Sequence, residues 1–280
     1  MKLFDIKQLK NLYRPANDST GEDNGQVTII GGSKLFHGAP LLSLKVASRI
    51  VDMVFFATPE KSVGYVSEQI KSQLFSFIWI PWEDVDAYIE KSDAVLIGPG
   101  FMRFESEHSA KNIEHRRSLD GEGIKTREIT ENFLKKFPNK RWVIDAGSLQ
   151  VVDPELLPKG CIVTPNKKEY KILFGNTNPG DAAKKYKCYI SLKGAISYVY
   201  SPDDVIEVRG GNPGMTKGGT GDVLAGLTVA LLAKNDPFLA ASSASYIVKR
   251  AADELHKKFG VNYNADDLAD KIPSTFKRPL

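Results

Sequence analysis

Cysteine is scarce. Cys161 and Cys188 are the two in 280 residues, and they offer neither a disulfide framework nor a metal-binding spacing. Both fall inside apolar, strand-like segments and read as buried thiols. Long apolar runs are also missing. The longest stretches, such as Leu224 to Ala233, are too short to span a bilayer, and Met1-Lys2-Leu3-Phe4-Asp5 lacks the apolar core of a signal peptide. A cytoplasmic protein with no membrane partner is the expectation. Neither sign of charge dominates: 38 Lys and Arg against 34 Asp and Glu give a net charge of +4, with the two signs interspersed. This argues against a nucleic-acid partner and leaves anionic small molecules as natural ligands. The local basic clusters at Arg116-Arg117 and from Lys135-Lys136 to Lys140-Arg141 read as solvated faces. Internal repeats and low-complexity tracts are absent, as are two nucleotide signatures. No Gly-x-x-x-x-Gly-Lys-Ser/Thr occurs, and no Gly-x-Gly-x-x-Gly opens the first helix, which disfavours a P-loop enzyme and a simple hydride-transfer dehydrogenase.

What the chain does have is alternation. With 42% apolar and 26% charged residues it carries an ordinary globular composition, and one α/β domain over residues 1–280 is expected. Short β-branched or aromatic runs occur at Val27-Ile30, Met53-Phe56, Phe77-Ile80, Ala94-Ile97, Trp142-Ile144, Cys161-Val163 and Tyr189-Leu192. Helical patterns such as Pro40-Val51 and Lys167-Phe174 separate several of them. That order predicts a mainly parallel central sheet with helices on both faces. Ser197-Tyr200 and Val205-Val208, joined by Ser201-Pro202-Asp203-Asp204, predict a hairpin. A short helix is expected from Ile6 to Tyr13 and a long amphipathic one from Phe238 to Phe259. The polar stretch from His108 to Arg127 reads as an exposed insertion, either a lid or a surface loop without catalytic role.

The block Gly211-Asn212-Pro213-Gly214-Met215-Thr216-Lys217-Gly218-Gly219-Thr220-Gly221-Asp222-Val223-Leu224-Ala225-Gly226 concentrates the chemistry. Gly218, Gly219 and Gly221 let the backbone take positive φ and approach a ligand, and the apolar run from Val223 continues as a helix. The first amides of that helix, with its macrodipole, would stabilise a phosphate at an anion hole formed by Gly219, Thr220 and Gly221. Asp222 stands beside that hole. It can cap the helix, or it can act as the general base that deprotonates a substrate hydroxyl attacking a phosphoryl group. Lys217 adds a cation beside the expected anion site, where it either aids phosphate binding or points to solvent.

These sixteen residues resemble the signature of the ribokinase-like superfamily, and within it the NAD(P)H-hydrate dehydratases, whose string is close to GNPGMATGGTGDVLAG. Other strand ends carry matching elements. Gly31-Gly32-Ser33 and Phe36-His37-Gly38-Ala39-Pro40 resemble the family's GGS…GA element, which implies that Ala39 contacts the hydrated nicotinamide. Gly98-Pro99-Gly100 matches the family's GPG turn and implies that Gly100 lines the substrate pocket. Asp145-Ala146-Gly147-Ser148-Leu149 is similar to the family's Asp-Ala-Asp-Ala/Gly-Leu, with Gly147 in place of the second acid. Asn166 stands where the dehydratases usually have His, which implies a place at the substrate pocket beside Asp222, and Asn166-x-x-Glu169 also matches the wider superfamily's motif for magnesium and its waters. Glu169, near the third helical position, also fits a capping role. Lys193-Gly194-Ala195-Ile196-Ser197 resembles the LKGxxT segment that lines the adenine nucleotide, with Gly221 also at that site.

The resemblance runs from about Gly31 to Gly226. It implies repair of hydrated NADH or NADPH: Asp222 deprotonates the ring hydroxyl, which accepts the terminal phosphoryl of ADP or ATP, and loss of phosphate restores the dihydronicotinamide. ADP, giving AMP and phosphate, is the expected donor. Mg²⁺ is the implied cofactor and a homo-oligomer the implied assembly, and a chain without the fused epimerase domain of some relatives is expected. The alternative is a small-molecule kinase of the same superfamily, of the hydroxyethylthiazole or hydroxymethylpyrimidine type.

Overall fold

The β-branched runs each present two apolar faces, and the computed structural model pairs them in one ten-stranded sheet; it describes residues 2–70, 74, 76–103 and 121–276. The strands are β1 (Lys2–Leu3), β2 (Gln26–Ile30), β3 (Met53–Ala57), β4 (Ile78–Ile80), β5 (Ala94–Ile97), β6 (Arg141–Ile144), β7 (Ile162–Val163), β8 (Tyr189–Leu192), β9 (Ser197–Tyr200) and β10 (Val205–Val208). Their spatial order is β1-β10-β9-β8-β7-β6-β5-β2-β3-β4. All pairings from β4 to β8 are parallel, β9 and β10 are the expected antiparallel hairpin, and β1 joins β10 in parallel.

Strand side chains alternate between faces, so the sheet separates two cores. Val27, Ile29, Phe56, Leu96 and Val143 enter one; Ile30, Phe55, Val95, Ile97, Trp142 and Ile144 enter the other. The first core is completed by α1 (Gly38–Ala47), α2 (Lys61–Ile70), α8 (Thr220–Leu232), α9 (Pro237–Phe259) and α10 (Ala265–Phe276). The second is completed by α3 (Val85–Lys91), α4 (Gly121–Lys136), α5 (Ala146–Leu149), α6 (Lys167–Phe174) and α7 (Pro179–Tyr186). Helix α8 is apolar all round because it is covered on all sides, by the sheet, α1 and α9. Gly226 permits its close approach to α1, since a Cβ there would collide with the Ser43 carbonyl.

Several expected boundaries move. The first helix is a 3₁₀ segment, Ile6–Asn11, capped by Asp5, and α1 starts at Gly38 rather than Pro40 and ends at Ala47. Strand β1 and helix α10 had no counterpart in the sequence reading: one is two residues long, and the other contains Pro273. The polar stretch from His108 to Arg127 divides. Its part through Asp120 lies outside the described residues, whereas Gly121 to Arg127 open α4. The inward residues of α4 include Gly123, Thr126 and Thr130, so it shows little apolar periodicity although that face is buried. Cys161 and Cys188 are buried free thiols, and among the described residues no helix is long and apolar enough to cross a membrane.

Candidate active site

Because β2, β5, β6, β7 and β8 run parallel, the segments that follow them gather at one edge of the sheet. Gly31-Gly32 and Gly98-Pro99-Gly100 touch there, with the Gly32 amide donating to the Pro99 carbonyl at 2.8 Å. Gly100 has a φ of 74°, and a Cβ on it would lie 2.6 Å from the Phe36 carbonyl oxygen and 2.9 Å from Pro40. The turn therefore packs against the loop that carries Ala39 into the first turn of α1. Of the residues expected at the substrate, Ala39 and Gly100 are thus brought together, whereas Asn166 lines the cavity described below.

Asp145 follows β6 directly and is only 1% exposed. Its Oδ1 accepts from the Thr164 hydroxyl at 2.7 Å and from Lys193 Nζ at 3.0 Å. The next residue, Ala146, has a φ of 49°, a left-handed conformation that costs a non-glycine residue on the order of 1–3 kcal/mol. Gly147 is required where it stands, because a Cβ would strike the Phe101 carbonyl; the acid of the family string has no space here. A parallel bridge between Asn166 and Lys193 sets the β7 and β8 ends side by side. Asn166 caps α6: its side-chain oxygen accepts from the amides of Lys168 and Glu169, and Glu169 Oε2 accepts from the Asn166 amide at 2.8 Å. Glu169 Oε2 also lies 3.7 Å from Lys193 Nζ. Lys193 is thus held in a half-buried ion-pair network and does not extend freely to solvent.

Helix α8 points its N-terminus at this lysine. A Cβ on Gly221 would sit 3.3 Å from Lys193 Nζ. Gly219, with a φ of 93°, is the N-cap and supplies no capping side chain, so the first-turn amides have no acceptor within the helix. The Thr220 hydroxyl is turned inward, donating to the carbonyls of Met215 and Lys217 at 2.7 and 3.0 Å. Asp222 occupies the third helical position, and its carbonyl accepts from the Ser43 hydroxyl at 2.8 Å. Burial is the main cause that pushes its carboxyl up to about 7, reinforced by the charges of Asp145 and Glu169 and opposed by Lys193. Burial and the Asp145 charge likewise raise Glu169 against the pull of Lys193. For Lys193 itself burial acts downward, but the charges of Asp145 and Glu169 outweigh it and raise the ammonium.

A cavity of about 680 Å³ opens beside this cluster. Asn166, Lys193, Gly194, Ala195, Ser197, Thr220 and Gly221 all line it, together with Gly211, Asn212, Met215 and the α9 residues Ser245, Val248 and Lys249. Ile196 is 44% exposed and does not line it; neither do Ala39, Gly100, Gly219, Glu169 and Asp222. Asp222 is linked to both groups through its neighbours: Gly221 before it lines the cavity, and its own carbonyl accepts from Ser43 of α1, the helix whose first turn holds Ala39. Lys217 is placed differently from its expected position. Its Nζ donates to the carbonyls of Val261 and Tyr263 and lies 5.3 Å from the Tyr263 ring centroid, so its charge is spent on the α9–α10 connection rather than beside the anion site. Sequence reasoning missed the α9 wall. Its one signal was Lys249, a lysine on the face that the helix otherwise buries.

Sheet order and site geometry together define an α/β protein of ribokinase-like fold, as in a ribokinase-like superfamily protein from Enterococcus faecalis (TM-score 0.78, 20% identity, 99% of this chain and 95% of that one). A model of the NAD(P)H-hydrate dehydratase family matches residues 27–274, and the chain belongs to that family. It is 34% identical, over 98% of its length, to the bifunctional NAD(P)H-hydrate repair enzyme Nnr of Methanocaldococcus jannaschii, and spans 52% of that relative. The ADP-dependent (S)-NAD(P)H-hydrate dehydratase of Cenarchaeum symbiosum is 29% identical, with 93% of this chain and 91% of that one covered. Among solved structures, an ADP/ATP-dependent NAD(P)H-hydrate dehydratase from Bacillus subtilis, co-crystallised with ATP and Mg²⁺, superposes with a TM-score of 0.78 at 22% identity, covering 99% of this chain and 98% of that one.

Proposed function

We propose that the chain is a single catalytic module that dehydrates hydrated NADH or NADPH at the expense of an adenine nucleotide, with ADP as the preferred donor. The observation that carries this reading is Asp222, a carboxyl pushed up to about 7 at the open N-terminus of α8, directly after Gly221, which lines the cavity with Lys193, Gly194, Ala195 and Ser197. A base with its pKa near neutrality accepts a proton efficiently while a substantial share of it is still ionised. Asp222 takes the proton from the ring hydroxyl, the freed oxygen bonds to the terminal phosphorus, and the bond to the leaving nucleotide breaks. The C–O bond of the phosphorylated ring then breaks, phosphate departs with the electron pair, and loss of a proton from the adjacent ring carbon to solvent forms the double bond that restores the dihydronicotinamide. ADP would leave as AMP. The amides of Gly219, Thr220 and Gly221 stabilise the developing charge, and Lys193 is held by Asp145 and Glu169 at the same edge.

For magnesium the residues fit only through water. Among the described residues no group of three His, Cys, Asp or Glu side chains is placed to hold a metal directly. The Asn166 oxygen already accepts two amides, which leaves Glu169 of the expected pair to hold the ion's waters. When bound, Mg²⁺ would neutralise charge on the nucleotide's terminal phosphates. Assembly as a homo-oligomer and cytoplasmic residence belong to the same reading, the former checked by light scattering.

ADP dependence is supported by the Cenarchaeum symbiosum relative, which is named for it. The test is recovery of the dihydronicotinamide absorbance, near about 340 nm for that chromophore, from chemically hydrated NADH or NADPH with Mg²⁺ and either ADP or ATP. Recovery dependent on ADP is expected. A folded protein that restores no absorbance with either nucleotide overturns the proposal and returns the kinase alternative, which would use the same base and anion loop.

A further inference from the structure

Lys249 lies within α9, is only 4% exposed, and is among the residues that line the cavity. Its three donors meet three backbone carbonyls, of Gly194 at 3.1 Å, Ala195 at 2.8 Å and Gly210 at 2.8 Å. An ammonium has three N–H groups and no acceptor, so this set satisfies it fully. The carbonyls belong to two different segments: the turn after β8 that begins with Lys193, and the loop after β10 that leads into the glycine-rich block. One helical turn further on, Asp253 grips the same second loop from its amide side, accepting from the Gly211 N–H at 3.1 Å and from the Asn212 side chain at 3.4 Å. Gly210 and Gly211 have φ values of 99° and 82°, so the loop holds two successive left-handed residues. Lys249 and Asp253 hold it in that shape.

Burying a charge is costly and a hydrophobic side chain would fill this space without that cost, so packing alone does not account for a lysine here. Burial drives its ammonium below the ordinary lysine range, with the Asp253 charge opposing in part. We propose that Lys249 is a positioning residue for the adenine nucleotide: by bridging Gly194-Ala195 to Gly210 it fixes two walls of the cavity in the arrangement the nucleotide meets. The inference rests on the reading of that cavity as the nucleotide site. It acts through backbone carbonyls, and so concerns nucleotide affinity rather than the proton transfer at Asp222.

The experiment is calorimetric titration of ADP, and separately ATP, with Mg²⁺ into the wild-type chain and Lys249→Met, alongside the KM for hydrated NADH. Wild-type binding is expected, with Kd for the nucleotide raised at least about tenfold in the variant, the order of effect of removing hydrogen bonds to a charged group. The fraction of competent sites is expected to stay the same, and the KM for the hydrate to move by less than about twofold. A merely structural lysine would lower the competent fraction and the melting temperature while leaving Kd unchanged, and that result overturns the inference alone. Wild-type protein that binds neither nucleotide overturns the nucleotide reading, and the inference with it. Should Lys249→Met not fold, Lys249→Gln, which keeps two donors, is read in the same way.

Discussion

At Asp222, burial and two neighbouring carboxylates make ionisation unfavourable, and Lys193 offsets only part of that. Replacing it by Asn keeps the shape and removes the base, so kcat for hydrate repair is expected to fall by about 10²–10⁴-fold, measured as absorbance recovery under saturating nucleotide. The base acts ionised; wild-type kcat/KM should therefore rise with pH through about 7 and level off above it. Stability runs the other way. The folded-state pKa is raised above the unfolded value of 3.8, so this group's favourable contribution is present below 3.8 and is lost as pH rises through about 7. Asp222→Asn should accordingly melt higher than wild type at pH 8, by at least about 2 °C, and the gap should close as pH is lowered toward 4. An unchanged gap across that range would mean that Asp222 is not strained in the folded protein. Asp222 was legible in the sequence because glycines, an acid and a helix start fell in one short run. The destination of Lys217 was not, because its partners are backbone carbonyls 44 and 46 residues further along the chain.

Helix α8 carries the site and depends on close packing. Gly226 lets it lie against the Ser43 backbone of α1, and the Ser43 hydroxyl bonds back to the Asp222 carbonyl. Gly226→Ala forces those helices apart and is expected to cost about 1–3 kcal/mol, a melting temperature lower by several degrees in a calorimetric scan. Lys217→Met tests the loop before α8. The lysine is bonded to the α9–α10 connection, so kcat should stay within about twofold while stability falls by about 1 kcal/mol. A tenfold loss of kcat would place its charge back at the anion site. At this scale the parallel strands were readable, because buried strands show as short β-branched runs and their order follows the alternation with helices. Elements without that pattern were not. Strand β1 is too short to show a period, α4 buries threonine and glycine, and the α9 wall is a lysine on an otherwise buried face.

Across the whole molecule, the cavity draws its walls from segments far apart in the chain: the α6 cap, the turn after β8, the loop before α8, and the middle of α9. Lys249 and Asp253 join two of these walls, and Tyr263 braces the second of them, the loop before α8, by donating its hydroxyl to the Asn212 side chain at 2.8 Å. A ligand that contacts all of them adds cross-links the free protein lacks, and binding to the folded state alone raises its stability by RT ln(1 + [L]/Kd). At a hundredfold excess over Kd that is about 2.7 kcal/mol, equivalent to roughly 5–10 °C in a chain of this size. ADP with Mg²⁺ should therefore raise the melting temperature by that amount without any hydrate present, whereas the hydrate alone, if it binds the Ala39 and Gly100 turns as proposed, should raise it separately and add to the ADP effect. Additivity within about 0.5 kcal/mol is the outcome expected of two separate sites on either side of one carboxylate. Mutual exclusion would instead mean that both molecules compete for the single cavity, and the division of substrate from nucleotide across Asp222 would be wrong.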